Sequence, residues 1–217
     1  MPVHAKICGL STPETLAAAV RHGASHVGFI FFPPSPRHVE PDRAAALAAQ
    51  LPEHVGGVGV FVDPAPALLD EVLARVPLKV VQLHGQESPA FVNELRARHA
   101  VEVWKAIPVR TRADLSQARA YVGAAHRILY DAKTPKGADL PGGMGLRFDW
   151  TLLDKNGGDF VHPLPWLLSG GLDGGNVAEA VGITGATFVD VSSGVESAPG
   201  VKAVDKIASF LQSVAIL

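Results

Sequence analysis

The chain has 217 residues, 47% of them hydrophobic and 18% charged, with 22 Gly and 17 Pro spread along its length; this excludes a disordered chain and a coiled coil. The 19 basic and 21 acidic residues leave a net charge of -2. There is thus no electrostatic footprint for nucleic acid or an anionic membrane, and any bound anion must be held by a local site.

Eight short apolar runs recur in chain order: Val3–Cys8, His26–Phe31, Gly57–Val62, Leu78–His84, Val101–Ile107, Arg127–Asp131, Leu164–Ser169 and Thr187–Val191. Their Val, Ile, Phe and Trp content predicts strands. Between them, Pro13–His22, Pro41–Gln50, Pro66–Arg75, Pro89–His99, Arg112–Val122 and Asn176–Val181 carry helical spacing, and a last helix is expected from about Lys202 to Val214. Thr12-Pro13, Asp63-Pro64 and Ser88-Pro89 each place a capping residue before a proline suited to a first helical turn. Strand and helix alternate with a period of 22 to 24 residues in most units. That is a succession of βαβ units and a parallel sheet. Eight units within one domain of residues 1–217 favour an α/β fold of the (β/α)8 TIM-barrel type. An open doubly wound sheet fits less well, because no Gly-x-Gly-x-x-Gly turn follows the first strand.

The lone thiol, Cys8, excludes an intrachain disulfide and a thiolate-rich zinc site. It suits a reducing compartment. No signal peptide is read at the start of the sequence, and no apolar run approaches the roughly 18 residues of a membrane span. The expected location is cytoplasmic.

Active sites of such barrels lie at the C-terminal strand ends. There the sequence offers Cys8, Asp63, His84, Asp131, Ser169-Gly170-Gly171-Leu172 and Ser192-Ser193-Gly194-Val195-Glu196. The last two, after strands seven and eight, have the backbone donors and hydroxyls that hold phosphate, although Gly and Ser also populate ordinary turns. Cys8 reads either as an inert small hydrophobe or as a base; Lys6, two residues earlier and on the same strand face, would favour the thiolate. Asp131 follows a buried run and reads as a general acid with a raised pKa, or as a cap or partner of Lys133 or Lys136. His84 is best read as a polar lining residue, because too few ligands converge with it for a metal. Arg37, in Ser35-Pro36-Arg37, is either a carboxylate clamp or a solvated loop arginine. His22, His54 and His99 are expected on the surface. The long interval between Asp131 and Ser169 contains Lys133–Gly137 and Gly142–Gly145, and reads as a lid or as a tolerated insertion.

Taken together, Lys6–Leu10, Gly28–Phe31 with Ser35–Arg37, Gly59–Asp63, Gln82–Gly85, Asp131 with the glycine-rich loop to Phe148-Asp149-Trp150, Ser169–Leu172 with Asn176-Val177, and Asp190–Glu196 resemble the phosphoribosylanthranilate isomerase family. They span nearly the whole chain in the family's order. The resemblance implies a metal-free and cofactor-free (β/α)8 enzyme of tryptophan biosynthesis. Its reaction would be an Amadori rearrangement of N-(5-phosphoribosyl)anthranilate. Asp131 would be the general acid and Cys8 the general base. Arg37 would hold the anthranilate carboxylate, and Gly170, Gly171, Ser192, Ser193 and Gly194 the phosphate. The expected partner is a small phosphorylated molecule, with monomer and homodimer both open. Met144 stands where the family more often has a small polar residue. A metal-dependent pentose-phosphate epimerase would need ligands on several strand ends, which the second strand lacks. A histidine-pathway isomerase would carry a carboxylate where Cys8 stands. A catalytically silent phosphosugar-binding protein would not need both Cys8 and Asp131.

Overall fold

Inward and outward side chains alternate along each predicted strand, and this alternation builds two cores. In the computed structural model, which describes residues 2–135, 142–143, 145–154 and 161–217, the strands are β1 (His4–Cys8), β2 (His26–Ile30), β3 (Gly56–Phe61), β4 (Val80–Leu83), β5 (Glu102–Val109), β6 (Arg127–Ala132), β7 (Trp166–Leu168) and β8 (Phe188–Val191). They pair in sequence order into a closed barrel. Every neighbouring pair is parallel, and β8 returns to β1 with Lys6 opposite Asp190. The expected (β/α)8 architecture is therefore the observed one.

The inward set, Cys8, Val58, Val60, Val80, Trp104, Ala106, Leu129, Leu167 and Phe188, fills the barrel. The outward set, including Ile7, Val27, Phe29, Phe61, Val81 and Val103, packs under the helices. Lys6 and Cys8 share the inward face, as their spacing requires. A Cβ on Gly28 of the next strand would stand 2.9 Å from Cys8 Sγ and 3.2 Å from Lys6 Cε. Glycine at that position makes room for both side chains.

The helices are α1 (Pro13–Arg21), α2 (Pro41–Ala48), α3 (Pro66–Arg75), α4 (Pro89–Arg98), α5 (Arg112–Leu115), α6 (Val177–Thr184) and α7 (Val204–Ala215). Thr12 and Ser88 cap α1 and α4 through the amides of Thr15 and Phe91. Asp63 does not cap α3. Its backbone turns left-handed, φ 44°, so that its amide donates to Glu87 Oε1 at 2.9 Å and its carboxylate accepts from the Gln86 amide at 2.6 Å. The helix begins only at Pro66, after Ala65.

The helix expected over Arg112–Val122 is α-helical only to Leu115 and continues as a 3-10 helix over Ser116–Tyr121. The tighter winding puts residues three apart on one face, which buries Ala118 and brings the Tyr121 hydroxyl to the Glu87 carbonyl at 2.8 Å. An antiparallel hairpin not foreseen from the sequence, β9 (Glu196–Ala198) and β10 (Val201–Lys202), follows β8. Of the three histidines expected at the surface, His54 is exposed while His22 and His99 are half-buried. Lys136, Gly137, Met144 and residues 155–160 lie outside the described residues.

Candidate active site

The C-terminal strand ends open into a cavity of about 810 Å³, counting its mouth. Cys8, Arg37, His84, Asp131, Gly170, Gly171, Ser192 and Ser193 all line it. Gly194 does not; it lies just behind, where a Cβ would overlap the Leu172 carbonyl oxygen. Glycine at 194 therefore lets the loop after β8 close onto the loop after β7.

Cys8 is buried in the barrel mouth. Lys6 lies beneath it, fully buried, with its Nζ 2.8 Å from Asp190 Oδ1. Burial alone would lower the Lys6 ammonium, but Asp190 and the Cys8 sulfur outweigh it and hold the group above its ordinary value. The thiol itself is not activated in the way the Lys6 spacing suggests. Burial pushes Cys8 up, Lys6 pulls it down, Asp190 pushes it up again, and the balance lies above the ordinary thiol value. Burial outweighs the pull of Lys6, which Asp190 offsets in part.

Asp131 enters from β6. Its Oδ2 lies 3.1 Å from His84 Nε2, and its Oδ1 accepts from the Ala132 amide at 2.8 Å. Lys133 pairs with Asp114 at 3.0 Å instead. His84 is thus a partner of Asp131 as well as a lining residue, and Gln82 touches its other ring nitrogen at 3.2 Å. Gly142 passes over this pair; a Cβ there would stand 2.8 Å from Asp131 Oδ2 and 2.9 Å from His84 Nε2. Only glycine lets the chain run so close.

Arg37 is no solvated loop residue, being 5% exposed. Its stem lies over Gly9, where a Cβ would stand 3.0 Å from Arg37 Cδ. Nε and Nη2 donate to the two oxygens of Glu196 at 2.7 and 2.8 Å. One bidentate face of the guanidinium is therefore already filled from within the protein.

Gly170 and Gly171 both have positive φ, 89° and 66°, a conformation that costs glycine least. Neither amide donates a hydrogen bond among the described residues. The Ser192 hydroxyl is engaged, donating to the Cys8 carbonyl at 3.3 Å and accepting from Lys202 Nζ at 3.2 Å. Ser193 opens a short 3-10 helix, Ser193–Val195. Among the described residues no three His, Cys, Asp or Glu side chains converge as a metal site, and no helix is long and apolar enough to cross a membrane.

A family model described as N-(5'phosphoribosyl)anthranilate (PRA) isomerase matches residues 5–213. The chain belongs to the phosphoribosylanthranilate isomerase family.

Full-length relatives agree with that membership. The N-(5'-phosphoribosyl)anthranilate isomerase of Rhodospirillum centenum is 56% identical over 218 residues, covering all of both chains. The crystal structure of phosphoribosyl anthranilate isomerase from Thermotoga maritima is 36% identical and superposes with a TM-score of 0.87 over 99% of this chain and 100% of that one. A further phosphoribosyl anthranilate isomerase crystal structure, in complex with reduced 1-(o-carboxyphenylamino)-1-deoxyribulose 5-phosphate, is 35% identical with a TM-score of 0.84, covering 99% and 100%.

In the sequence Glu196 and Asp190 stand only inside motifs, and nothing local marks the first as the counter-ion of Arg37 or the second as that of Lys6. Lys202, which joins Glu196 at 2.7 Å, carried no signal, since it falls where a helix start was expected.

Proposed function

We propose that this chain isomerises N-(5-phosphoribosyl)anthranilate to 1-(2-carboxyphenylamino)-1-deoxyribulose 5-phosphate in tryptophan biosynthesis, with Asp131 as general acid and Cys8 as general base. The observation that carries the reading is that Cys8 and Asp131 line one cavity from β1 and β6. These strands are separated in the barrel by β7 and β8, so the two groups stand on different sides of any sugar held between them.

Asp131 gives its proton to the ribose ring oxygen. The ring C–O bond breaks as the anilino nitrogen lone pair forms the C=N+ bond of an iminium. Cys8, as thiolate, takes the C2′ proton, and the electrons of that C–H bond neutralise the iminium to an enolamine. Loss of the C2′ hydroxyl proton and protonation at C1′ then give the ketone. Each proton transfer of this kind contributes roughly 10²- to 10⁴-fold.

The phosphate is held by the amides of Gly170 and Gly171 and by the Ser192–Gly194 turn, with the Ser193 hydroxyl at the cavity wall. Because the Ser192 hydroxyl is bonded within the protein, Ser192 contributes main chain here. Arg37 holds the anthranilate carboxylate. His84 positions Asp131 through the 3.1 Å contact. An anchor at the phosphate, remote from C2′, supplies binding energy for orienting the reacting carbon.

The test follows anthranilate fluorescence of freshly made substrate with EDTA present. Wild type should consume it rapidly, at the same rate with or without EDTA, and folded Cys8→Ala and Asp131→Ala variants should each lose at least about 10²-fold in turnover. No turnover by a folded wild type would overturn the reading.

A further inference from the structure

Arg37 reaches the cavity from the loop after β2, and three contacts fix its guanidinium. The stem lies on Gly9. Nε and Nη2 are held by Glu196 at 2.7 and 2.8 Å. The second hydrogen of Nη2 goes to the Gly143 carbonyl at 2.9 Å. That leaves Nη1, which has no hydrogen-bond partner among the described residues.

Glu196 does more than hold Arg37. Its Oε1 also accepts from Lys202 Nζ at 2.7 Å, and its Oε2 from the Gly200 amide at 3.2 Å. The β9–β10 hairpin sets Lys202 opposite Glu196 in register. Lys202 Nζ in turn donates to the Ser192 carbonyl at 2.8 Å and contacts its hydroxyl at 3.2 Å. Both side chains of the Arg37–Glu196 pair are 4% exposed, and that of Lys202 is 1% exposed. One buried carboxylate therefore stands between two cations. One of these faces the cavity wall, and the other grips the turn after β8. Burial alone would raise the Glu196 carboxyl, but Arg37 and Lys202 hold it below the usual carboxylate range. The cluster of two cations and one anion has a net charge of +1, which one incoming carboxylate neutralises.

We propose that Glu196 is a positioning residue for recognition of an aromatic carboxylate. It fills one face of Arg37 so that the Nη1 end alone meets the substrate carboxylate, and through Lys202 it fixes that end relative to the phosphate-binding turn. This rests on the proposed function. The two ends of a rigid phosphorylated ligand are thereby held at a set separation by a single ion cluster, and orientation of the sugar between them follows. Without Glu196 the guanidinium keeps only the Gly9 contact and the Gly143 carbonyl, and two like charges are left buried together.

The experiment compares two inert ligands by calorimetry: 1-(2-carboxyphenylamino)-1-deoxyribitol 5-phosphate and its phenylamino counterpart, which lacks the carboxylate. Wild type, Glu196→Gln and Glu196→Asp are titrated with both, and kcat and KM are measured in parallel. The Gln variant keeps the shape and loses the charge, and the Asp variant keeps the charge and pulls it back. The expected result is an affinity loss of about ten-fold or more for the carboxyphenyl ligand in Glu196→Gln, the scale of one misplaced charge-assisted contact. The phenyl ligand should change by less than about two-fold, KM should rise more than kcat falls, and Glu196→Asp should recover part of the loss. Equal losses for both ligands would reduce Glu196 to a support of the phosphate turn and overturn the proposal. So would unchanged affinities in both variants. A wild type that binds both ligands equally would instead overturn the assignment of Arg37, and one that binds neither would overturn the proposed function itself.

Discussion

At the scale of single residues, the chemistry of Cys8 depends on which of its neighbours wins. Burial and Asp190 raise the thiol, Lys6 lowers it, and the balance is above the ordinary value of 9.0. If the thiolate is the base, turnover is proportional to the thiolate fraction. It should therefore climb with pH through the neutral range and still be climbing near pH 9. A kcat profile that is flat between roughly pH 7 and 9 would show that Cys8 deprotonation does not limit the reaction. Gly194 makes a second prediction at this scale. A methyl group there would overlap the Leu172 carbonyl, so Gly194→Ala should part the loops after β7 and β8. We expect KM to rise by about ten-fold or more and stability to fall by about 1–3 kcal/mol, the usual cost of overpacking. Steady-state kinetics and urea titration read both, and an unchanged KM would mean that the turn relaxes without consequence.

Among the elements, the β4 end is braced from outside the barrel. Lys105 on β5 points outward, where its Nζ reaches the carbonyls of Leu83 and Gly85 at 3.4 and 2.8 Å, and Glu87 Oε2 at 3.1 Å. Those carbonyls flank His84, and Glu87 accepts from the amides of Asp63 and Gly85. Burial lowers the Lys105 ammonium, and Glu87 works against that. Removing one partner of such a pair leaves the other charge buried, which costs about 3–5 kcal/mol. Lys105→Met should lower the urea midpoint accordingly, with a smaller cost in Lys105→Met/Glu87→Leu, where both charges go. A loss in the double variant equal to the sum of the Lys105→Met and Glu87→Leu losses would mean that the ion pair itself contributes nothing.

The same elements mark what the sequence made legible. All eight strands and the main helices were readable, because strands buried on both faces are short continuous apolar runs and the stretches between them carry a 3.6-residue spacing. The break of the fifth helix after Leu115 was not, since the Tyr121–Glu87 contact that favours the tighter winding joins residues 34 apart. Asp63 looked like a cap because Asp-Pro is a local signal, whereas a distant glutamate holds its backbone in the left-handed region. The candidate site was legible as residue types at strand ends. Its ion pairs were not, because Lys6–Asp190 and Arg37–Glu196 close over 184 and 159 positions.

For the molecule as a whole, the other end of the barrel is plugged by His26, Trp104 and Phe188, with ring centroids 5.1 to 5.6 Å apart. Arg127 lies over the Trp104 and Phe188 rings. Burial, with Lys6 adding to it, pushes His26 down to about 4 from an ordinary 6.5. The unfolded chain then takes up a proton at a higher pH than the folded one. Stability from this group is complete above pH 6.5 and is lost progressively as pH falls to about 4. The urea midpoint of wild type should decline over that window, and His26→Phe should remove part of the decline. A variant with the same pH dependence as wild type would assign the loss to other groups.

The sequence by itself determined the eightfold alternation, the closed parallel architecture it favours, and the residue types at the strand ends, because each is set by contacts among near neighbours in the chain. Only the tertiary structure decided what those residues touch. It turned Lys6 toward Asp190, left Cys8 a buried thiol with a raised pKa, put Glu196 between Arg37 and Lys202, and set His84 beside Asp131. Charge acts through space and strengthens where water is excluded. Its outcome therefore depends on which distant residues barrel closure brings within about 3 Å of one another.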